Sequence, residues 1–279
     1  MITKQTPLKK FLTYFVIVLL LLVFVFPIYW MFVASLKDNS VLMRLPPQLY
    51  PTFSSLDSYK AIFENAKYMR YIGNSLIVAS ITVVINLLFS VFAGYSLSRF
   101  RYPGRKAIMT VTLSAQVFPT VVILISLYEF FSKFKLMNNF LGLALADVAM
   151  SLPLSVWMLK SFCDSVPRSL DEAARVDGCG RFRTMMQIVV PLLKPGMLAV
   201  GIYAFLMSWD DYMLGLVIMT KTPKKTLPVG ISESFLGEFG FDYAGMMTIS
   251  VVASLPVLLL FLIFQKYMVA GLTGGAVKE

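Results

Sequence analysis

The chain of 279 residues is 58% hydrophobic and only 14% charged, too little polar surface to cover a water-soluble core of that size. It contains no histidine, which excludes Ser-His-Asp chemistry, His-based zinc sites and histidine general bases. Its two cysteines, Cys163 and Cys179, are too few for a disulfide framework and read as small packing residues, while the net charge of +10 gains meaning only from its distribution.

A helix needs about 20 apolar residues to cross about 30 Å of hydrocarbon. Six stretches reach that length, roughly 11–34, 75–97, 107–128, 140–159, 197–219 and 246–264. Lys9 and Lys10 precede the first, but its apolar run exceeds a signal core and no small-residue cleavage site follows, so it is expected to persist as a mature helix. Between the first two spans, Leu56, Tyr59, Ile62, Phe63, Ala66 and Met69 recur at helical spacing. They predict a surface helix with one apolar stripe, lying as a lid within 36–73. Pro27, Pro119, Pro153 and Pro256 fall inside spans, where each kinks its helix and leaves room for a pathway or for packing. No internal repeat or low-complexity tract interrupts the chain, which predicts one domain over 1–279. The expected fold class is all-α, an integral membrane bundle of six transmembrane helices.

The charges orient these spans. Lys4, Lys9 and Lys10, the cluster Arg99 to Lys106, the segment Lys160 to Lys194, and Lys266, Lys278 and Glu279 together carry the whole excess of +10, and the rest of the chain balances to zero. Such one-sided cation enrichment marks the cytoplasmic face, so both termini are expected there, beside anionic membrane lipid headgroups. A topology signal of this kind displaces a nucleic-acid reading.

The longest cytoplasmic connection, 167–196 between spans four and five, reads PRSLDEAARVDGCGRFRTMMQIVVPLLKPG. Ser169 and Glu172 have capping-box spacing and predict a helix start near Leu170. Asp177-Gly178 predicts its stop, because glycine accepts the left-handed conformation. A helix of about two turns is unstable alone and must dock on something. A second helix is expected from about Arg181 to Val190, with Phe182, Met185, Met186 and Val189 on one side and Pro191 ending or kinking it. The two helices would form a rigid elbow able to transmit a push.

Glu172-Ala173-Ala174, three residues, Gly178, nine residues, Ile188, one residue and Val190-Pro191 together resemble the EAA signature of permease subunits of binding-protein-dependent ABC importers, with Val190 where the family has Leu. The stretches FPIYWMFVASLK at Phe26, LSRFRYPGR at Leu97, VGISES at Val229 and GLTGGAVKE at Gly271 are similar to the carbohydrate-specific branch, in particular the shorter permease of maltose-type systems. The resemblance implies that the elbow is a coupling helix seated on a cytoplasmic ATPase, with Glu172, Ala173, Ala174 and Gly178 in contact. The alternative for Glu172 is that it only caps its own helix. The implied partners are a second permease forming a heterodimer, two cytoplasmic ATPase subunits and an extracytoplasmic solute-binding protein. The implied place is a bacterial or archaeal inner membrane.

No G-x-x-x-x-G-K-[ST] occurs, so ATP and Mg are expected on partner subunits, with no cofactor, catalytic residue or metal site in this chain. The glycine-rich GLTGGAVKE is expected to be a flexible tail. Polar residues inside spans usually face a cavity or partner. Gln116, Asp147, Ser151 and Trp209 are the expected lining of a sugar path, although Gln116 and Asn86 could instead bond neighbouring helices. Asp210 and Asp211 would meet headgroups, a second permease or the binding protein. An ion-gradient carrier is the alternative, but Asp147 is the one clear ionisable residue at depth where charged relay pairs would be needed.

Overall fold

The computed structural model describes residues 6–51, 56–235 and 242–274, with the side chains of the last helix as far as 265. The end of the glycine-rich tail, Lys4 and Lys278 lie outside the described residues, and no strand occurs within them. In chain order the principal helices are α1 Pro7–Ser35, α2 Asp57–Glu64, α3 Ala66–Arg99, α4 Arg105–Ser114, α5 Thr120–Lys133, α6 Phe140–Ser165, α7 Ser169–Val176, α8 Arg181–Leu192, α9 Lys194–Trp209, α10 Met213–Ile218, α11 Leu227–Phe235 and α12 Tyr243–Gly274. Four of these, α1, α3, α6 and α12, are long and apolar enough to cross a membrane, and two bent pairs raise the number to six. This is the expected all-α membrane bundle.

Two spans differ from the expected continuous helices. The third breaks at Phe118-Pro119, and its two pieces meet at 99° instead of forming one kinked rod over 107–128. Pro119 caps α5 in an extended conformation because its ring cannot follow another helical turn. The fifth leaves the helix at Trp209. The Asp211 carboxylate then accepts the Leu214 and Gly215 N–H groups at 3.1 and 2.7 Å, capping the start of α10 inside what was expected to be continuous helix over 197–219.

The chain comprises two compact units. The first contains 1–66 and 231–255. Within it, Tyr59 shares a 2.8 Å hydrogen bond with Ser35, and Thr248 donates to the Ser35 carbonyl at 3.2 Å. Asn39 joins Asp242 and the Ala244 N–H. The expected lid helix is shorter than its stripe. Asn65 turns extended after Glu64, Ile62 alone of the stripe is buried in α2, and Ala66 and Met69 belong to α3.

The second unit contains 67–230 and 256–279. Its core packs Val78, Phe131, Leu143, Ala144, Leu214 and Ile218 at one end and Tyr95, Cys163, Met185, Val189 and Leu193 at the other. Helices α3 and α6 touch closely at Gly94, where an added Cβ would stand 3.0 Å from the Lys160 backbone nitrogen. In α8 the backbone widens into a π turn over Met185–Val189. Pro191 has no N–H to return to the Gln187 carbonyl, which favours such a widening. The bend of 77° follows at Leu193, between α8 and α9. Met185 and Val189 are buried as expected of the second elbow helix, whereas Phe182 is exposed and stacks on Phe92 at 6.5 Å.

Candidate functional site

The elbow is built from its own short helix outward. Helix α7 starts at Ser169 itself, and no side chain caps it, so the capping box between Ser169 and Glu172 does not form. The Arg168 carbonyl instead accepts the N–H groups of Asp171 and Glu172 at 3.0 and 3.2 Å. The far end stops as expected. Gly178 adopts φ +79°, the Cys179 N–H returns to the Ala174 carbonyl at 2.8 Å and the Gly178 N–H to the Arg175 carbonyl at 3.0 Å, a Schellman closure.

One face of α7 is bolted to the bundle. Asp171 pairs with Arg99 at 2.9 Å, their side chains 10% and 6% exposed, and Tyr95 donates to Asp171 at 3.4 Å. Arg99 also donates to the Val166 carbonyl at 2.9 Å, and Arg168 to the Ser98 carbonyl at 3.0 Å. Ser98 donates to Asp164 at 2.6 Å, and Lys160 pairs with Asp164 at 2.5 Å. Arg181 lies over the Phe100 ring at 5.4 Å. A buried ion pair of this kind costs about 3–5 kcal/mol when one partner is removed, because the other charge stays behind without water. The pair therefore fixes where α7 sits relative to α3.

The opposite face is open. Glu172, Ala173, Val176 and Gly178 are exposed, Val176 at 88%. Ala174, expected on the outward contact, is 2% exposed and packs inward. Sequence reasoning missed Asp171 and Arg99 as partners. In the sequence Arg99 stands out only as one of the topology-setting cations, and nothing in the chain's local pattern links it to Asp171, 72 positions on.

The expected path residues fall into three places. Asp147 and Ser151 sit on a buried seam among α3, α6 and α9. There Ser208 donates to Asp147 at 2.5 Å, Asn86 donates to Ser151 at 2.8 Å, and Thr82 donates to Ser208 at 3.3 Å. Asp147 and Ser151 are buried within the chain, at 3% and 0% exposure. Trp209 is also buried and stacks on Phe205 at 5.5 Å. Gln116 is exposed beside the break between α4 and α5, where it lines a cavity of 520 Å³ with Phe118, Thr120, Met150, Tyr203 and Met207 among others. Gln116 also donates to the Met150 carbonyl at 3.4 Å. Among the described residues no cluster of His, Cys, Asp and Glu suited to a metal ion occurs.

The comparisons with known proteins agree with this architecture. Residues 86–274 match the family model described as binding-protein-dependent transport system inner membrane component. The chain is 36% identical over 253 residues to the sulfoquinovosyl glycerol transport system permease protein of Agrobacterium fabrum, covering 91% of this chain and 88% of that one. It is 32% identical over 278 residues to the trehalose/maltose transport system permease protein of Thermococcus litoralis, covering 99% of both. Its fold superposes with a TM-score of 0.81, at 19% identity, on a chain of a bacterial ABC transporter involved in the import of the acidic polysaccharide alginate, covering 94% of this chain and 98% of that one. With a bent-helix membrane bundle, an elbow of the family's spacing and a family match over most of its length, the chain belongs to the binding-protein-dependent transport system inner membrane components, permease subunits of ABC importers.

Proposed function

We propose that the chain is the shorter permease of a sugar or oligosaccharide importer, forming the path with a second permease while two cytoplasmic ATPase subunits bind and hydrolyse ATP with Mg. An extracytoplasmic binding protein delivers the solute. The cation excess puts the elbow and both termini on the cytoplasmic side. The sugar reading draws support from the solutes named for the relatives and from a path candidate with neutral polar groups. Closure of the ATPase dimer pushes α7, and α7 moves α3 because Asp171 is fastened to Arg99 and Tyr95, and α6 with it through Ser98 and Asp164.

A single observation carries the coupling role. Helix α7 is too short to stand alone, and its inner face is anchored by Asp171 and Ala174 while Glu172, Ala173 and Gly178 remain free for a partner. Small Ala173 lets that partner approach closely, and Glu172 can meet a cation on it. The test is ATPase stimulation by the loaded binding protein in the reconstituted complex. Glu172→Lys is expected to lower that stimulation at least tenfold with assembly intact. Full stimulation and uptake in the variant would remove Glu172 from the coupling contact.

A further inference from the structure

We propose that the break in the third span gives this chain its own contact with the transported solute, and that this contact accepts a neutral saccharide. The proposal deepens the importer reading and rests on it. Irregular backbone at membrane depth persists only where protein buries it or water reaches it. Here the backbone turns by 99° between Val117 and Thr120, Gln116 and Phe118 beside the turn are exposed, and a cavity of 520 Å³ opens there. That volume falls inside the range of about 300–1,000 Å³ typical of small-molecule sites.

The lining matches the two surfaces of a sugar ring. Gln116, Thr120 and Tyr203 supply amide and hydroxyl groups that both donate and accept, as a ring of hydroxyls requires. Phe118, Met150 and Met207 offer apolar faces to its C–H groups. Among the described residues no Lys, Arg, Asp or Glu lines the cavity. A carboxylated or sulfonated sugar entering it would shed water without gaining a counter-charge from this chain, a large cost. The ionisable candidate at depth, Asp147, is closed off on the seam with Ser208 and lines none of this cavity.

The experiment uses the complete complex in nanodiscs, with Cys163 and Cys179 of this chain replaced by Ala and Ser and Gln116→Cys introduced. The rate of labelling by a small polar maleimide is measured with no sugar, with maltotriose or xylotriose, and with trigalacturonate, and stimulated ATPase activity is read in the same samples. The expected result is that at least one neutral trisaccharide that stimulates the ATPase slows labelling fivefold or more, while trigalacturonate does not. Stimulation by a neutral sugar without protection overturns the proposal and leaves the importer reading standing, as does a cysteine unreactive in every state, which lies under lipid or a partner chain. Protection by trigalacturonate overturns the neutral selectivity. A complex whose ATPase responds to no saccharide overturns the proposal and the sugar reading together.

Discussion

Asp171 and Glu172 are neighbours with opposite duties. The first faces inward to Arg99 at 2.9 Å, and the second faces out. Asp171→Asn or Arg99→Gln is expected to destabilise the protein by about 3–5 kcal/mol by leaving one charge buried and unpaired. The double variant Arg99→Gln with Asp171→Asn should lose clearly less than the sum, because both charges leave together. Denaturant unfolding of the purified chain in detergent measures all of them, and additive losses would mean that the two groups do not act as a pair. Gly178 holds φ +79°, so Gly178→Ala is expected to cost about 1–2 kcal/mol. Gly178→Asn should cost less, since asparagine visits that region. Equal losses for Ala and Asn would place the strain elsewhere.

Helices α3 and α6 approach closely enough at Gly94 that a side chain there meets the Lys160 backbone at 3.0 Å. Backbone cannot swing aside as a flexible side chain can. Gly94→Val is expected to cost about 1–3 kcal/mol by overpacking and to lower assembly yield, whereas Gly104→Ala, at a left-handed position with open space around it, should show only its conformational cost. Element boundaries were the least legible feature of the sequence. Hydropathy marks an apolar stretch but cannot tell a kinked helix from a broken one, so Pro119 read as a kink in span three. Span five reads as unbroken because hydropathy leaves Asp210 and Asp211 as outer-end polar residues, and the capping role of Asp211 depends on backbone geometry. The stop at Gly178 was legible, because glycine after Asp in a short helix has one economical conformation.

The membrane class and the elbow could be read from the chain because each depends on local composition: long apolar runs, cations collected on alternate connections, and a short helix ended by Gly178. The path residues could not be sorted that way. Whether Gln116, Asp147, Ser151 and Trp209 meet solvent depends on which helix faces which, and the structure sets Gln116 beside an open cavity while Asp147, Ser151 and Trp209 are buried within the chain. Ala174 turned inward for the same reason, since a two-turn helix has one face for its own bundle and one for a partner. The central claim is that the outer face of α7 is covered by an ATPase subunit. Ala173→Cys, in a chain with Cys163→Ala and Cys179→Ser, tests it directly through its maleimide labelling rate before and after assembly with the ATPase subunits. Labelling is predicted to slow at least tenfold on assembly, and an unchanged rate in the assembled complex would contradict the account.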